Sequence, residues 1–77
     1  MFYDDMYRVC GEKGKTPTEV LRELNMSTGN ISKWKAGASP TVNNAIRIAE
    51  HLGVSLSYLC NPGDLLKDDS SQEGESE

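Results

Sequence analysis

The segment from Ser27 to Lys35 concentrates small polar and basic side chains, the residue types that form hydrogen bonds with nucleic acids. Its members are Ser27, Thr28, Gly29, Asn30, Ser32, Lys33 and Lys35. Short side chains can approach the edges of base pairs, an asparagine amide can pair with adenine, and a lysine ammonium can donate to guanine O6 and N7. Ile31 and Trp34 interrupt the set at i, i+3 spacing, so they would share the opposite, inward face of a helix. The pattern is typical of a helix with one polar, basic face for groove reading, in which Trp34 is a core anchor.

The other reactive side chains are few and isolated. His51 is the single histidine, and no nucleophile or second metal ligand stands at a recognisable spacing from it. It lies near the end of a predicted helix, where capping or plain exposure is expected. Cys10 and Cys60 form no Cys-x-x-Cys pair, so two free thiols are expected, with Cys10 in the core. No catalytic residue, metal ligand, cofactor or small-molecule substrate is predicted.

The net charge of −4 is unusual for a nucleic-acid binder until it is divided along the chain. Residues 64–77 contain six acidic side chains against Lys67 alone, a net charge of −5, which leaves +1 for residues 1–63. Residues 68–77 offer no apolar side chain to bury, so burial cannot offset the entropy of ordering them. We therefore predict a domain over residues 1–63 and an acidic, disordered tail, or the beginning of a linker, over 64–77.

The length of the chain suits one small domain. No apolar run approaches the roughly 20 residues that a membrane-spanning helix needs, and the chain opens with no signal peptide. A soluble cytoplasmic protein without a membrane partner is therefore expected.

Apolar periodicity and capping signals predict the elements that would position the polar segment. The predicted helices cover about residues 2–13, 17–24, 28–36, 41–51 and 55–60. Thr16 can cap the second helix, with Pro17 at its first position and Glu19 closing a capping box. Asn25 would end this helix in the left-handed conformation, and Ser27 would cap the next.

The remaining boundaries come from glycine, proline and threonine. Gly37 would end the third helix, Thr41 would cap the fourth, Gly53 would stop it, and Asn61-Pro62-Gly63 would close the domain. A compact all-α domain of five helices follows. Its predicted core is Phe2, Met6, Val9, Val20, Leu24, Ile31, Trp34, Ala45, Ile46, Ala49, Leu52, Leu56 and Leu59.

The second and third predicted helices, joined by a tight turn at Asn25–Ser27, form a helix-turn-helix pattern. The residues that would lock the two helices together, at a crossing angle of about 90–120°, are Val20, Leu24, Met26, Ile31 and Trp34. If these side chains face inward, the polar and basic side chains of residues 28–35 face outward. A DNA-reading helix needs such a face.

Three motifs give the chain a family resemblance over about residues 2–63. They are Ile31-Ser32-Lys33-Trp34-Lys35-x-Gly37, Ser39-Pro40, and Ile48-Ala49-x-x-Leu52-Gly53-Val54-Ser55-x-x-Tyr58-Leu59. In this order and spacing the chain resembles the Cro/repressor-like (Xre-type) helix-turn-helix domains of phage repressors and bacterial transcriptional regulators. The resemblance implies a five-helix lambda-repressor-like fold, a third helix in the major groove, and a homodimer on a palindromic operator in double-stranded DNA.

The resemblance also implies roles for individual residues. Thr28, Gly29 and Lys33 match positions that usually face base edges, and Asn30 is their neighbour. Ser27 and Lys35 match positions near the sugar-phosphate backbone. The further residues predicted to contact phosphates are Ser32, Thr18, Ser39 and Asn43.

The chain departs from the family pattern in ways that favour few phosphate contacts. Pro17 replaces a residue that often contacts phosphate, and Leu21 stands where the family favours alanine. Residues 38–44 lack the basic side chains that some relatives carry, and Gly29 removes a side chain from a principal reading position. We therefore expect modest affinity from an isolated monomer.

These observations predict a sequence-specific transcriptional regulator, with repression as the family's commoner role. Leu56, Tyr58 and Leu59 would be divided between the core and a self-association surface. One alternative is an antitoxin-like or other protein-interaction module on the same fold, whose acidic tail engages a basic partner. Another is a tail that competes with DNA for the recognition face.

Overall fold

Residues 1–67 of the 77-residue chain are described by a computed structural model. They form α1 (Phe2–Glu12), α2 (Pro17–Glu23), α3 (Asn30–Lys35), α4 (Val42–Leu52), α5 (Leu56–Leu59) and a 3₁₀ turn, Pro62–Asp64. Between residues 1 and 67 the only strand-like pairing is an isolated parallel bridge of Thr41 with Leu66. The predicted all-α class with five helices is confirmed. The predicted disorder of residues 68–77 lies outside the described residues.

Helix α1 forms one wall of the core. Its buried side chains are Phe2, Met6, Val9 and Cys10, all four predicted in the core, and they recur at the i, i+4, i+7, i+8 spacing of one helix face. Helices α2, α3 and α5 all pack against it. The burial of Cys10 agrees with its prediction as a core residue, and this burial raises the pKa of its thiol to about 11.

The capping box predicted at the start of α2 is present. Thr16 N donates to Glu19 Oε1 at 2.8 Å, and Glu19 N donates to Thr16 Oγ1 at 3.1 Å. At the other end Asn25 adopts φ 61°, the left-handed conformation that ends the helix. Met26 N then donates to Leu21 O at 2.8 Å, which closes the turn. Both ends of α2 thus follow from local chemistry.

Helix α4 buries a different stripe from the one predicted. Ile48 is fully buried, whereas Ile46, predicted in the core, is 36% exposed. Ala45, Ile48, Ala49 and Leu52 are its buried residues. Residue 46 lies about 100° from residue 45 around the helix, and Ile48 falls within the buried arc instead. The prediction for Ile46 was wrong because both registers have helical spacing.

The centre of the core joins α1 to α3. The rings of Phe2 and Trp34 meet edge to face with centroids 5.1 Å apart, and Trp34 is only 3% exposed. Leu24, Ile31 and Leu56, predicted as core, are only partly buried and pack at its margin. Their helices are short and superficial, so one side of each side chain still meets solvent.

The packed region continues past Asn61-Pro62-Gly63. Leu65 is 8% exposed and belongs to the core. Leu66 N donates to Pro40 O at 3.0 Å, and Val42 N donates to Leu66 O at 2.9 Å. The chain after the 3₁₀ turn therefore binds the loop between α3 and α4. This extension beyond residue 63 depends on backbone pairing, which the side-chain pattern does not encode.

Candidate nucleic-acid interface

Helix α3 is shorter than predicted and begins without a side-chain cap. It spans Asn30–Lys35 instead of residues 28–36, and Gly29 stands at its N-cap with φ −61° and ψ −20°. Ser27 Oγ, predicted to cap the helix, accepts instead from Gly29 N at 3.2 Å. Asn30 N and Ile31 N donate to the carbonyls of Ser27 and Thr28. Residues 27–29 therefore form a hydrogen-bonded turn that leads into α3.

The orientation of α3 is fixed by its two apolar residues. Trp34 is buried against α1, and Ile31 packs at the edge of the core. At about 100° per residue, Ser32 and Lys33 then lie on the opposite side of the helix, and both are exposed. Asn30 is half-buried at the flank. The outward face therefore consists of Ser32 and Lys33, preceded by the exposed turn that holds Thr28 and Gly29.

Lys35 lies at the other flank of α3, on the side of α1. Its Nζ is 5.5 Å from the centroid of the Tyr3 ring, a cation–π contact. Tyr3 in turn stacks on Tyr7, with centroids 6.1 Å apart. Lys35 is exposed but already has a partner, whereas Lys33 has none within the part of the chain that the structure describes.

Three further residues with predicted phosphate contacts lie on other elements. Thr18 is half-buried in the first turn of α2, and Ser39 is half-buried in the loop before Pro40. Asn43 is exposed in the first turn of α4. The interface predicted from the sequence thus draws on the beginnings of α2 and α4 as well as on α3.

The helix-turn-helix family model matches residues 6–59, from the middle of α1 to the end of α5. The chain belongs to the Cro/repressor-like (Xre) helix-turn-helix family. This is a family of DNA-binding domains and not of enzymes. No curated protein and no solved structure gave a significant match. Within residues 1–67, no helix is long and apolar enough to cross a membrane, and no three metal-ligating side chains cluster.

The helix-turn-helix is braced by a charged cluster that sequence reasoning missed. Glu23, at the end of α2, accepts from Lys15 Nζ at 3.0 Å through each carboxylate oxygen. His51 Nε2 of α4 also donates to Glu23 Oε1. The hydrogen bond from His51, then that from Lys15, lowers the pKa of Glu23. Glu23 and His51 are 28 residues apart, so no local pattern signals their contact.

A second brace closes the end of α2. Arg47 Nη2 donates to Leu24 O at 2.9 Å. The carbonyls of the last turn of a helix have no intrahelical partner, and a cation there also interacts favourably with the helix dipole. Arg47 therefore attaches α4 to the turn that separates α2 from α3.

The contacts of each basic side chain determine whether its positive charge is available to bind DNA. Arg8 pairs with Glu12 at 3.7 Å and lies over the Tyr58 ring. Lys15, Lys35 and Arg47 have the partners described above. Those without a partner among residues 1–67 are Lys13, Arg22, Lys33 and Lys67. Lys33 is therefore the unpartnered cation on the outward face of α3.

Tyr58 occupies the outer side of α5. Its hydroxyl donates to Glu12 Oε1 at 2.8 Å, and this hydrogen bond raises the pKa of Tyr58. The side chain is nevertheless 50% exposed. Leu59, on the same short helix, is fully buried. Leu59 therefore belongs to the core and Tyr58 to the surface, while the self-association expected of this surface stays a prediction.

Proposed function

We propose that the protein is a cytoplasmic, sequence-specific transcriptional regulator that inserts α3 into the major groove of DNA. The observation that carries this proposal is the exposed Lys33 beside Ser32, which has no partner among residues 1–67 and lies on the side of α3 opposite the buried Trp34. A helix held by its apolar face, with short polar side chains and one cation outward, matches the needs of groove reading.

Base reading is assigned to the turn and the first residues of α3. Lys33 is positioned to donate to guanine O6 and N7, the most informative contact available to this face. Thr28 supplies a hydroxyl and a methyl group, and Gly29 allows the backbone to approach the base edges. Asn30 contributes from the flank, where its side chain is only partly buried.

Phosphate contacts are assigned to mostly neutral groups. The proposed residues are Ser27, Ser32, Lys35, Thr18, Ser39 and Asn43. Hydroxyl and amide donors position the domain without releasing many counterions. Because each neutralised phosphate contributes about −0.9 to the log–log salt slope, this interface predicts a shallow salt dependence for the monomer.

Homodimerisation and repression complete the proposal. Large apolar side chains remain exposed at Ile46, Tyr58 and Leu66, which are 36%, 50% and 57% exposed. A two-fold contact using such residues would bring two copies of α3 to half-sites about one helical turn apart. Occupancy of an operator would then block transcription.

The proposal is tested by selecting duplexes from a random pool with the full chain. A palindromic consensus with half-sites about 34 Å apart is the expected result. Lys33→Ala should weaken binding to the selected duplex at least tenfold. Lys13→Ala is the matched control, since Lys13 also lacks a partner among residues 1–67 but lies just beyond α1. Absence of duplex binding at 50 mM salt would refute the proposal and favour the protein-interaction alternative.

A further inference from the structure

The last residues that the structure describes lie next to the candidate DNA interface. Leu66 is held by Pro40 and Val42 through two backbone hydrogen bonds of 3.0 and 2.9 Å. These residues flank the loop between α3 and α4, which carries Ser39 and leads to Asn43. The segment 68–77 therefore starts from this edge of the domain and not from the opposite side.

The path from this exit to Lys33 is short. Ala38 N donates to Lys33 O at 3.0 Å, and Ala38 lies two residues before Pro40. With at most 3.8 Å between successive Cα atoms, Lys33 O lies no more than about 17 Å from Leu66 N. Ten residues can span at most about 33–36 Å. Residues 68–77 are therefore long enough to reach Lys33 from where they begin.

The charges of the two regions are complementary. Residues 68–77 carry Asp68, Asp69, Glu73, Glu75 and Glu77, and they contain no basic residue. Lys67 is adjacent, but one ammonium cannot neutralise five carboxylates. Lys33 has no partner among the described residues, and Lys35 has only the Tyr3 ring. The nearest unsatisfied positive charge on the candidate interface is thus Lys33.

We infer that residues 68–77 dock on the outward face of α3 in the DNA-free protein, as an intramolecular substitute for DNA phosphates. This inference rests on the proposed function of that face. A segment tethered beside its own binding surface acts at an effective concentration of about millimolar. It would weaken binding to non-specific DNA most, because such binding depends almost entirely on charge. A cognate site, which adds base contacts, would displace it.

The first experiment measures docking without DNA. Amide shifts of the full chain are compared with those of the full-length variant D68N/D69N/E73Q/E75Q/E77Q. We expect differences at residues 28–35 and 38–43, and none at Lys13. They should vanish in the Lys33→Ala background and above about 0.3 M salt, where the Debye length falls below about 6 Å. Coincident spectra outside the tail would overturn the inference, as would differences that disappear on dilution, which would assign the contact to a second copy.

The second experiment measures the effect on DNA binding. At 50 mM salt the five-fold amide variant should bind random-sequence duplex about tenfold more tightly than the parent, and less than twofold more tightly at 300 mM. Because general repulsion also weakens binding, D68N/D69N is compared with D4N/E50Q, which removes two charges outside the tail. Equal gains from the two pairs would overturn docking. If no variant binds DNA while the shifts persist, the proposed function fails and the docking stands.

Discussion

The guanidinium of Arg47 lies 2.9 Å from the carbonyl oxygen of Leu24, which joins the middle of α4 to the end of α2. The next residue, Asn25, is the left-handed one that turns the chain toward α3. Arg47 thus holds the residue that immediately precedes this turn. Helix α4 braces the end of α2 in this way, whereas α3 itself packs on α1.

Removal of this brace should destabilise the domain. Arg47→Ala deletes a hydrogen bond between a charged donor and an unpaired helix carbonyl, and we expect a loss of about 1 kcal/mol because the pair is exposed. The free energy of unfolding in urea measures it. Arg22→Ala is the control, since Arg22 has no partner among residues 1–67 and should change the free energy by less than about 0.5 kcal/mol. Equal losses from both would show that the contact contributes nothing.

The Glu23 cluster should make stability depend on acid pH. Its pKa in the folded protein is lowered from 4.5 by His51 and Lys15. The folded state therefore favours the carboxylate, so its stabilisation is complete above pH 4.5 and is lost as the pH falls through the lower folded pKa. Urea midpoints between pH 6 and pH 3 should fall less steeply for Glu23→Gln than for the parent. Glu50→Gln, at an exposed carboxylate that has no partner among residues 1–67, should keep the parent slope.

The parts of the fold that the sequence predicts are those with local causes. Thr16 and Glu19 are three residues apart, and their reciprocal hydrogen bonds need only the start of a helix. Asn25 needs only a position where the chain must turn. The inward orientation of α3 follows in the same way from Ile31 and Trp34, and it leaves Lys33 outward.

The features that sequence reasoning missed depend on the packing of distant segments. Either Ile46 or Ile48 gives α4 an apolar stripe, and only the positions of α5 and α2 around the helix select Ile48. His51 meets Glu23 because α2 and α4 pack together. Likewise, the Tyr3 ring beneath Lys35 comes from α1. The side-chain partners at the margins of the candidate interface could therefore not be predicted from the sequence. The outward orientation of Ser32 and Lys33 could be predicted.

The segment after the 3₁₀ turn should be part of the folding unit. Leu65 is almost fully buried, so Leu65→Ala should cost about 2–4 kcal/mol of unfolding free energy through lost contacts and a cavity. Its neighbour Leu66 provides the control. Leu66 contributes backbone hydrogen bonds while its side chain is 57% exposed, and Leu66→Ala should cost less than about 1 kcal/mol. Similar losses at both positions would show that the side chain of Leu65 contributes no more to the core than that of Leu66.

Gly29 should tolerate a side chain, because neither its backbone nor its surroundings require glycine. Its φ of −61° is ordinary for any residue, and an added Cβ would meet only Ser27 Oγ, at 3.4 Å. Alanine restricts the unfolded chain but is a poorer N-cap than glycine, so Gly29→Ala should change the unfolding free energy by less than about 0.5 kcal/mol. Gly29→Gln, by contrast, would add an amide that can pair with adenine in the major groove. Selection from a random pool should then return a consensus changed at one base pair in each half-site, while Lys33 still reads its own position. An unchanged consensus would mean that residue 29 does not face the bases, and a large loss of stability would mean that the turn before α3 needs glycine after all.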